Sequence, residues 1–211
     1  MKKIVKRGKD KMEMTQIPLQ QTVVLVKPDG VKRGLVGEII SRFEKAGLKI
    51  VALKMVWIDK EMAFKHYGVN DEWYENVGKK VREFYQQQGF DPGEEISKLT
   101  NRQIGEMVQR WNVDYLTEGP VVAMLLEAPG AVEIVRKIVG PTYPQQAPPG
   151  TIRGDYSFDS PLLSNLKRRS VHNLIHASGT PEEAKIEKEL WFKEKEIHSY
   201  KRVEEMLMLG E

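Results

Sequence analysis

The hydrophobic positions change period several times along this chain, and each change marks an element. Thr22-Val23-Val24-Leu25-Val26 is an unbroken, largely β-branched run, the pattern of a strand buried on both faces. It stops at Lys27-Pro28-Asp29-Gly30, a turn. Leu35, Val36, Ile39, Ile40 and Phe43 recur at helical spacing and predict an amphipathic helix over 35–46, ended by Gly47. Leu48, Ile50, Ala52 and Met55 to Ile58 predict a second strand, after which Asp59 caps a short helix carrying His66-Tyr67. Residues 68–119 differ in character. Val77, Val81 and Phe84 mark one short helix, and residues 86–95 form a polar linker. Thr100-Asn101-Arg102-Gln103 is then a capping box for a helix striped by Ile104, Met107, Val108, Trp111 and Tyr115. A third buried strand covers 120–127, and Pro129-Gly130 opens a helix buried along Val132, Val135, Ile138 and Val139. Residues 141–170, with five prolines, read as a long ordered loop. Residues 171–176 form the fourth strand. Thr180, Pro181 and Glu183 start a last helix over 181–192, with Thr180 as cap and Glu183 closing a capping box.

This order predicts an α+β fold with a ferredoxin-like β-α-β-β-α-β core. Its four-stranded antiparallel sheet should carry helices on one face and ligand loops at an edge. Residues 1–20 are expected to be a flexible basic tail, and 21–211 one domain with a helical insertion at about 76–117. With 40% hydrophobic and 30% charged residues in 211, the chain can build one good core. A net charge of +3 is too mild to argue for nucleic acid, but it suits a polyanionic small molecule. The absence of cysteine removes thiolate chemistry and disulfides, and the expected compartment is the cytoplasm. No apolar run approaches membrane-spanning length.

The candidate chemistry centres on Asn173-Leu174-Ile175-His176-Ala177-Ser178. A histidine where a buried strand feeds a helix N-terminus sits near free N–H groups and a positive dipole end, so it could face an anion. A core or surface histidine is the plainer alternative, and it yields only to the company that His176 keeps. Lys27, Arg136 with Thr142, and Arg153 are separate places offering phosphate chemistry. No Walker phosphate loop, protein-kinase catalytic loop or Gly-x-Ser-x-Gly elbow occurs, and His66, His172, His176 and His198 are too scattered in sequence for a zinc site.

Five motifs stand in order: Lys27-Pro28-Asp29-Gly30; His66-Tyr67; Gly119 to Met124; Pro149 to Asp155; and Asn173-x-x-His176-Ala177-Ser178. Together they resemble the nucleoside diphosphate kinase family over 21–67 and 119–192. The resemblance implies ping-pong transfer of the γ-phosphoryl group from a nucleoside triphosphate to a diphosphate through a phosphohistidine. It implies His176 as nucleophile, Glu187 as the carboxylate fixing its second ring nitrogen, Tyr67 as an orienting group, and Ser178 as support for Glu187 and part of the nucleotide site. It implies Lys27, Arg136, Thr142 and Arg153 as phosphate ligands, and Asn173 with Lys27 at the sugar hydroxyl. Either Trp73 or Tyr74 would stack on the base. Mg²⁺ would ride on the phosphates with few or no protein ligands, and a homo-oligomer, hexamer or tetramer, is implied. Three features depart from the pattern: the added helix and linker of 82–117, a longer stretch from Ser157 to His172 containing Lys167-Arg168-Arg169, and Ala177 where glycine is usual. A methyl group at 177 requires a backbone without positive φ.

Overall fold

The computed structural model describes residues 18–68 and 70–209. Most of the expected basic tail lies outside them, and Gln20, assigned to that tail, already belongs to the first strand. Four strands, β1 (Gln20–Val26), β2 (Lys49–Val56), β3 (Val121–Ala128) and β4 (Ile175–Ala177), form one antiparallel sheet in the order β2-β3-β1-β4. This is the ferredoxin-like arrangement expected. The helices are α1 (Pro28–Lys32), α2 (Val36–Lys45), α3 (Lys60–His66), α4 (Asp71–Gln88), α5 (Gly93–Ser97), α6 (Asn101–Thr117), α7 (Ala131–Val139), α8 (Ile152–Tyr156), α9 (Pro161–Leu166), α10 (Pro181–Trp191) and α11 (Val203–Leu209).

Helices cover both faces of the sheet, not one. Val24 and Val26 point towards Ile39 and Phe43 of α2 and Val135 and Val139 of α7. Val23 and Leu25 point the other way, towards Ala63 of α3, Val113 and Leu116 of α6, and Trp191 of α10. All four β1 residues are fully buried, which is why the run has no polar alternation. The second face is covered by α3, which follows β2, by α6 within the expected insertion, and by α10 after β4.

Several local expectations change. Lys27-Pro28-Asp29-Gly30 enters a helical turn, because Pro28 fits its first position. The polar stretch 86–95 is no linker: Gln86–Gln88 continue α4 until Gly89 ends it at φ 67°, and α5 begins at Gly93. The hairpin of α4 and α6 packs backbone to backbone. A Cβ on Gly78 would stand 1.9 Å from the Asn101 carbonyl oxygen, and one on Gly105 2.3 Å from that of Tyr74. β4 begins only at Ile175, because Leu174 is turned out of extended geometry at φ 67°. Ala177 lies in β4 without positive φ, so its methyl group is tolerated. Beyond the expected last helix, the chain runs along β2. His198 N–H donates to Val51 O at 2.8 Å and Arg202 to Leu48 O at 2.8 Å, before α11. Among the described residues no helix is long and apolar enough to cross a membrane.

Candidate active site

The end of β1, the start of α1 and the approach to β4 are laced together. Lys27 N–H donates to Leu174 O at 2.8 Å, and Leu174 N–H to the Asp29 carboxylate at 3.2 Å. Gly30 is required here, since a Cβ would meet Val26 Cγ1 at 2.8 Å and Leu174 O at 3.0 Å. The unusual φ of Leu174 is therefore held by the β1–α1 junction at Lys27 to Gly30, and it delivers His176 to the sheet opposite Leu25. Paired residues share a face, so His176 faces the side covered by α3, α6 and α10.

On that side His176 Nε2 lies 2.7 Å from Glu187 Oε1, and Glu187 Oε2 accepts from the Ser178 hydroxyl at 2.6 Å. Ser178 is fully buried and also accepts from Val23 N–H at 3.1 Å, which ties the carboxylate to β1. A carboxylate can only accept, so Nε2 carries the proton and Nδ1 keeps its lone pair. Burial, then the positive charges of Lys27, Arg153 and Arg136, push the His176 pKa down to about 3, and the ring stays neutral. Burial raises the Glu187 carboxyl, and the Ser178 hydrogen bond draws it back.

The cations have distinct supports. Lys27 is buried and donates to Asn173 Oδ1 at 2.9 Å; burial and neighbouring Arg153 push its pKa down to about 7. Asn173 also donates to the Thr142 carbonyl at 3.0 Å, so one amide connects Lys27 and Thr142. Arg153 donates to the carbonyls of Asn173, Gly140 and Ile175 at 3.2, 2.9 and 2.6 Å. Three of its five N–H groups hold the backbone around His176, and burial lowers its pKa to about 10, still protonated at neutral pH. Arg136 stands exposed on α7 at the cleft wall.

These residues open onto one cleft of about 630 Å³, roomy enough for a nucleotide. Lys27, Tyr67, Arg136, Thr142, Arg153, Asn173 and His176 line it, together with Trp73 and other residues of α4, α6 and the α9 region. Trp73 reaches the cleft and Tyr74 does not: the Tyr74 hydroxyl donates to Gln109 at 2.7 Å, and its ring lies under Arg102. The sequence led us to expect Ser178 as a nucleotide contact; Ser178 and Glu187 stand behind His176, outside the residues that line the cleft, and the Ser178 hydroxyl is spent on Glu187 and Val23. Tyr67 lines the cleft, but its buried hydroxyl has no protein partner, and its ring meets His66 at 4.9 Å and not His176 directly.

In the sequence His66 stood within the His66-Tyr67 motif but was given no role of its own. Its side chain is buried, its Nδ1 accepts from the Trp191 indole at 3.2 Å, and its ring meets that of His176 edge-on at 4.4 Å. The adjacent Tyr67 and the apolar Leu190-Trp191-Phe192 end of α10 were the available signals. His66, His176 and Glu187 form a trio with donor atoms within 4.8 Å of one another. Two nitrogens and one oxygen do not suit a hard Mg²⁺ ion, and among the described residues no carboxylate lines the cleft. Of the basic triplet, Arg168 pairs with Glu95 and Arg169 with Asp159, so two of its three charges are used within the chain.

A cationic cleft with a neutral, carboxylate-fixed histidine on a ferredoxin-like sheet defines a phosphotransferase. The comparisons with known proteins are more particular. The family model described as nucleoside diphosphate kinase matches residues 20–88 and 93–197. A nucleoside diphosphate kinase of Pyrobaculum aerophilum is 52% identical over 181 residues, 86% of this chain and 99% of that protein. A crystal structure of an NDP kinase from that organism superposes with a TM-score of 0.82 at 50% identity, covering 86% of this chain and all of the other. A nucleoside diphosphate kinase from Borrelia burgdorferi, in a transition-state mimic with bound vanadate and ADP, has a TM-score of 0.72 at 38% identity, covering 90% and 96%. The chain belongs to the nucleoside diphosphate kinase family. The family match breaks only between 88 and 93, so α4 and α6 lie within the matched segments.

Proposed function

We propose that His176 Nδ1 carries the phosphoryl group between nucleotides. The observation behind this is the 2.7 Å contact of Nε2 with Glu187, which leaves Nδ1 as the free nucleophile. In the first half-reaction the Nδ1 lone pair forms a bond to the γ-phosphorus of a nucleoside triphosphate. The bond to the β-γ bridging oxygen breaks, and the diphosphate leaves with that electron pair. Nε2–H stays on the ring, and Glu187 offsets the positive charge that the imidazole acquires. The second half-reaction reverses these events with a different diphosphate. Lys27, Arg136, Thr142 and Arg153 neutralise and position the phosphates, and Asn173 and Lys27 serve the sugar hydroxyl. The unpartnered Tyr67 hydroxyl supports a role towards the bound phosphate or the nucleophile. Trp73 is the stacking platform, because Tyr74 is committed between α4 and α6.

Mg²⁺ enters on the nucleotide, since the cleft offers it no carboxylate. A homo-oligomer, hexamer or tetramer, is supported by Leu53 and Met55, which alternate along edge strand β2, and Trp57 just beyond its end, with 51%, 61% and 66% exposure. Initial rates with ATP and GDP test the mechanism: a shuttle through the protein gives parallel double-reciprocal lines, whereas intersecting lines would show direct transfer in a ternary complex.

A further inference from the structure

The α9 region carries an inverted pattern. Leu166 is 52% exposed, while its neighbours Ser164 and Asn165 are 4% and 8% exposed and line the cleft. A polar residue buried in place of an adjacent leucine is the informative exception to ordinary burial. Ser164 satisfies itself locally by donating to Pro161 O at 3.1 Å. The other buried amides near the nucleotide cleft are committed. Asn173 is held between Lys27 and Thr142, and Gln109 joins Tyr74 to the Tyr67 carbonyl. The Asn165 side-chain amide alone has no protein partner, although the residue is more than nine-tenths buried. Both of its atoms also escape full burial, because neither falls among the inaccessible unpaired ones. Asn165 lines the cleft, and among the described residues no group satisfies its amide.

The cleft is polarised in a way that gives this amide a place on the ligand. His176, Lys27, Arg136 and Arg153 gather at one end, where the phosphates belong. The rest is walled by α4 with the Trp73 ring and Lys80, by α6 with Trp111, and by the α9 region with Asn165 and Arg169. A nucleotide with its phosphates on the cations extends its base between those walls. We propose that Asn165 hydrogen-bonds the polar edge of the nucleobase, and that it is the specificity-bearing group of a site otherwise built for stacking. This rests on the nucleotide reading above. An amide presents a donor and an acceptor side by side, which matches the adjacent polar groups on the edge of adenine, guanine or a pyrimidine. Rotating the amide by half a turn reverses their order, so one side chain serves different bases while rejecting a base that lacks a polar edge.

The test compares ADP with the diphosphate of unsubstituted purine riboside, which stacks equally but lacks the exocyclic amino group. Phosphoryl transfer from ATP to each is measured for the wild type, Asn165→Ala and Asn165→Leu, the last nearly preserving shape. The ratio of kcat/KM for ADP to that for the unsubstituted analogue should fall about five- to tenfold in both variants, the loss of one neutral hydrogen bond. The change should lie in KM. A ratio that moves less than twofold in the leucine variant, or a loss shared equally by both acceptors, overturns the proposal. A wild type that phosphorylates neither acceptor would instead refute the nucleotide reading itself.

Discussion

Replacing Ser178 by alanine probes how the nucleophile is held. The hydroxyl donates to Glu187 Oε2 at 2.6 Å and accepts from Val23 N–H at 3.1 Å, at a position without solvent access. Alanine removes a hydrogen bond to a charged group, worth about 1.5–3 kcal/mol, and leaves a buried backbone N–H unsatisfied, a cost of about 1–3 kcal/mol. The two losses share one oxygen and do not simply add, so a destabilisation of about 2–4 kcal/mol is expected. In a domain of this size that lowers Tm by roughly 5–15 °C. The functional consequence has a definite sign. Burial raises the Glu187 carboxyl and the Ser178 hydrogen bond opposes that rise. Without the bond the carboxyl protonates at higher pH, and a neutral acid no longer holds the proton on Nε2. The acid limb of kcat/KM therefore moves to higher pH in the variant, while His176, held down to about 3, does not titrate in that range. Thermal melts and pH–rate profiles of the two proteins check both parts. A lowered Tm with an unmoved acid limb would show that Ser178 serves the fold alone and that Glu187 does not govern the nucleophile.

Trp73→Ala should raise KM for diphosphates by about tenfold or more, since stacking is worth about 1–3 kcal/mol per base, whereas Tyr74→Phe should cost only about 1 kcal/mol of stability with KM unchanged; the reverse pattern in steady-state kinetics would move the platform to Tyr74. Lys27, with its pKa pushed down to about 7, is about half neutral in the free enzyme at pH 7, and a bound phosphate draws it back to the charged state. Diphosphate binding at pH 7 should therefore take up about half a proton and weaken as pH rises above 7; calorimetry in buffers of different ionisation enthalpy reads this, and no proton uptake would contradict it. Gly78→Ala forces a Cβ to within 1.9 Å of Asn101 O and should destabilise by about 3 kcal/mol or more in urea unfolding; a neutral substitution would mean that α4 and α6 are not locked there. Met55→Glu on edge strand β2 should lower the mass seen by light scattering, and an unchanged mass would place any subunit contact elsewhere.

The parts of the fold legible in the sequence are those set by local rules. β1 showed itself as a run buried on both faces, and Asp59, Thr100 and Thr180 cap the helices they were expected to cap. Lys27, Arg153, Asn173 and His176 were legible through the ordered motifs, and Arg136 and Thr142 through the family resemblance; the structure brings all six into one cleft. What escaped depended on partners distant in sequence. β4 starts late because Leu174 answers to Lys27 and Asp29, some 145 residues away, and not to its own propensity. Helices on the second face could not be assigned without knowing that α6 and α10 meet Leu25 and Val23. Trp73 and Tyr74 are neighbours with the same local signal; Gln109 and Arg102, from the facing helix, distinguish them. α9 was passed over as loop because its polar residues face inward, against the usual hydrophobic signature. His66 was hidden because its partners, Trp191, Glu187 and His176, all arrive from the end of the chain.

The central claim is that the phosphoryl group rests on His176, and labelling tests it most directly. Protein mixed with γ-labelled ATP and Mg²⁺ in the absence of acceptor should acquire one acid-labile, alkali-stable phosphoryl group per chain. The label should be absent in His176→Ala and should pass to added GDP. Absence of label from folded wild-type protein, or its persistence in the alanine variant, would contradict the account.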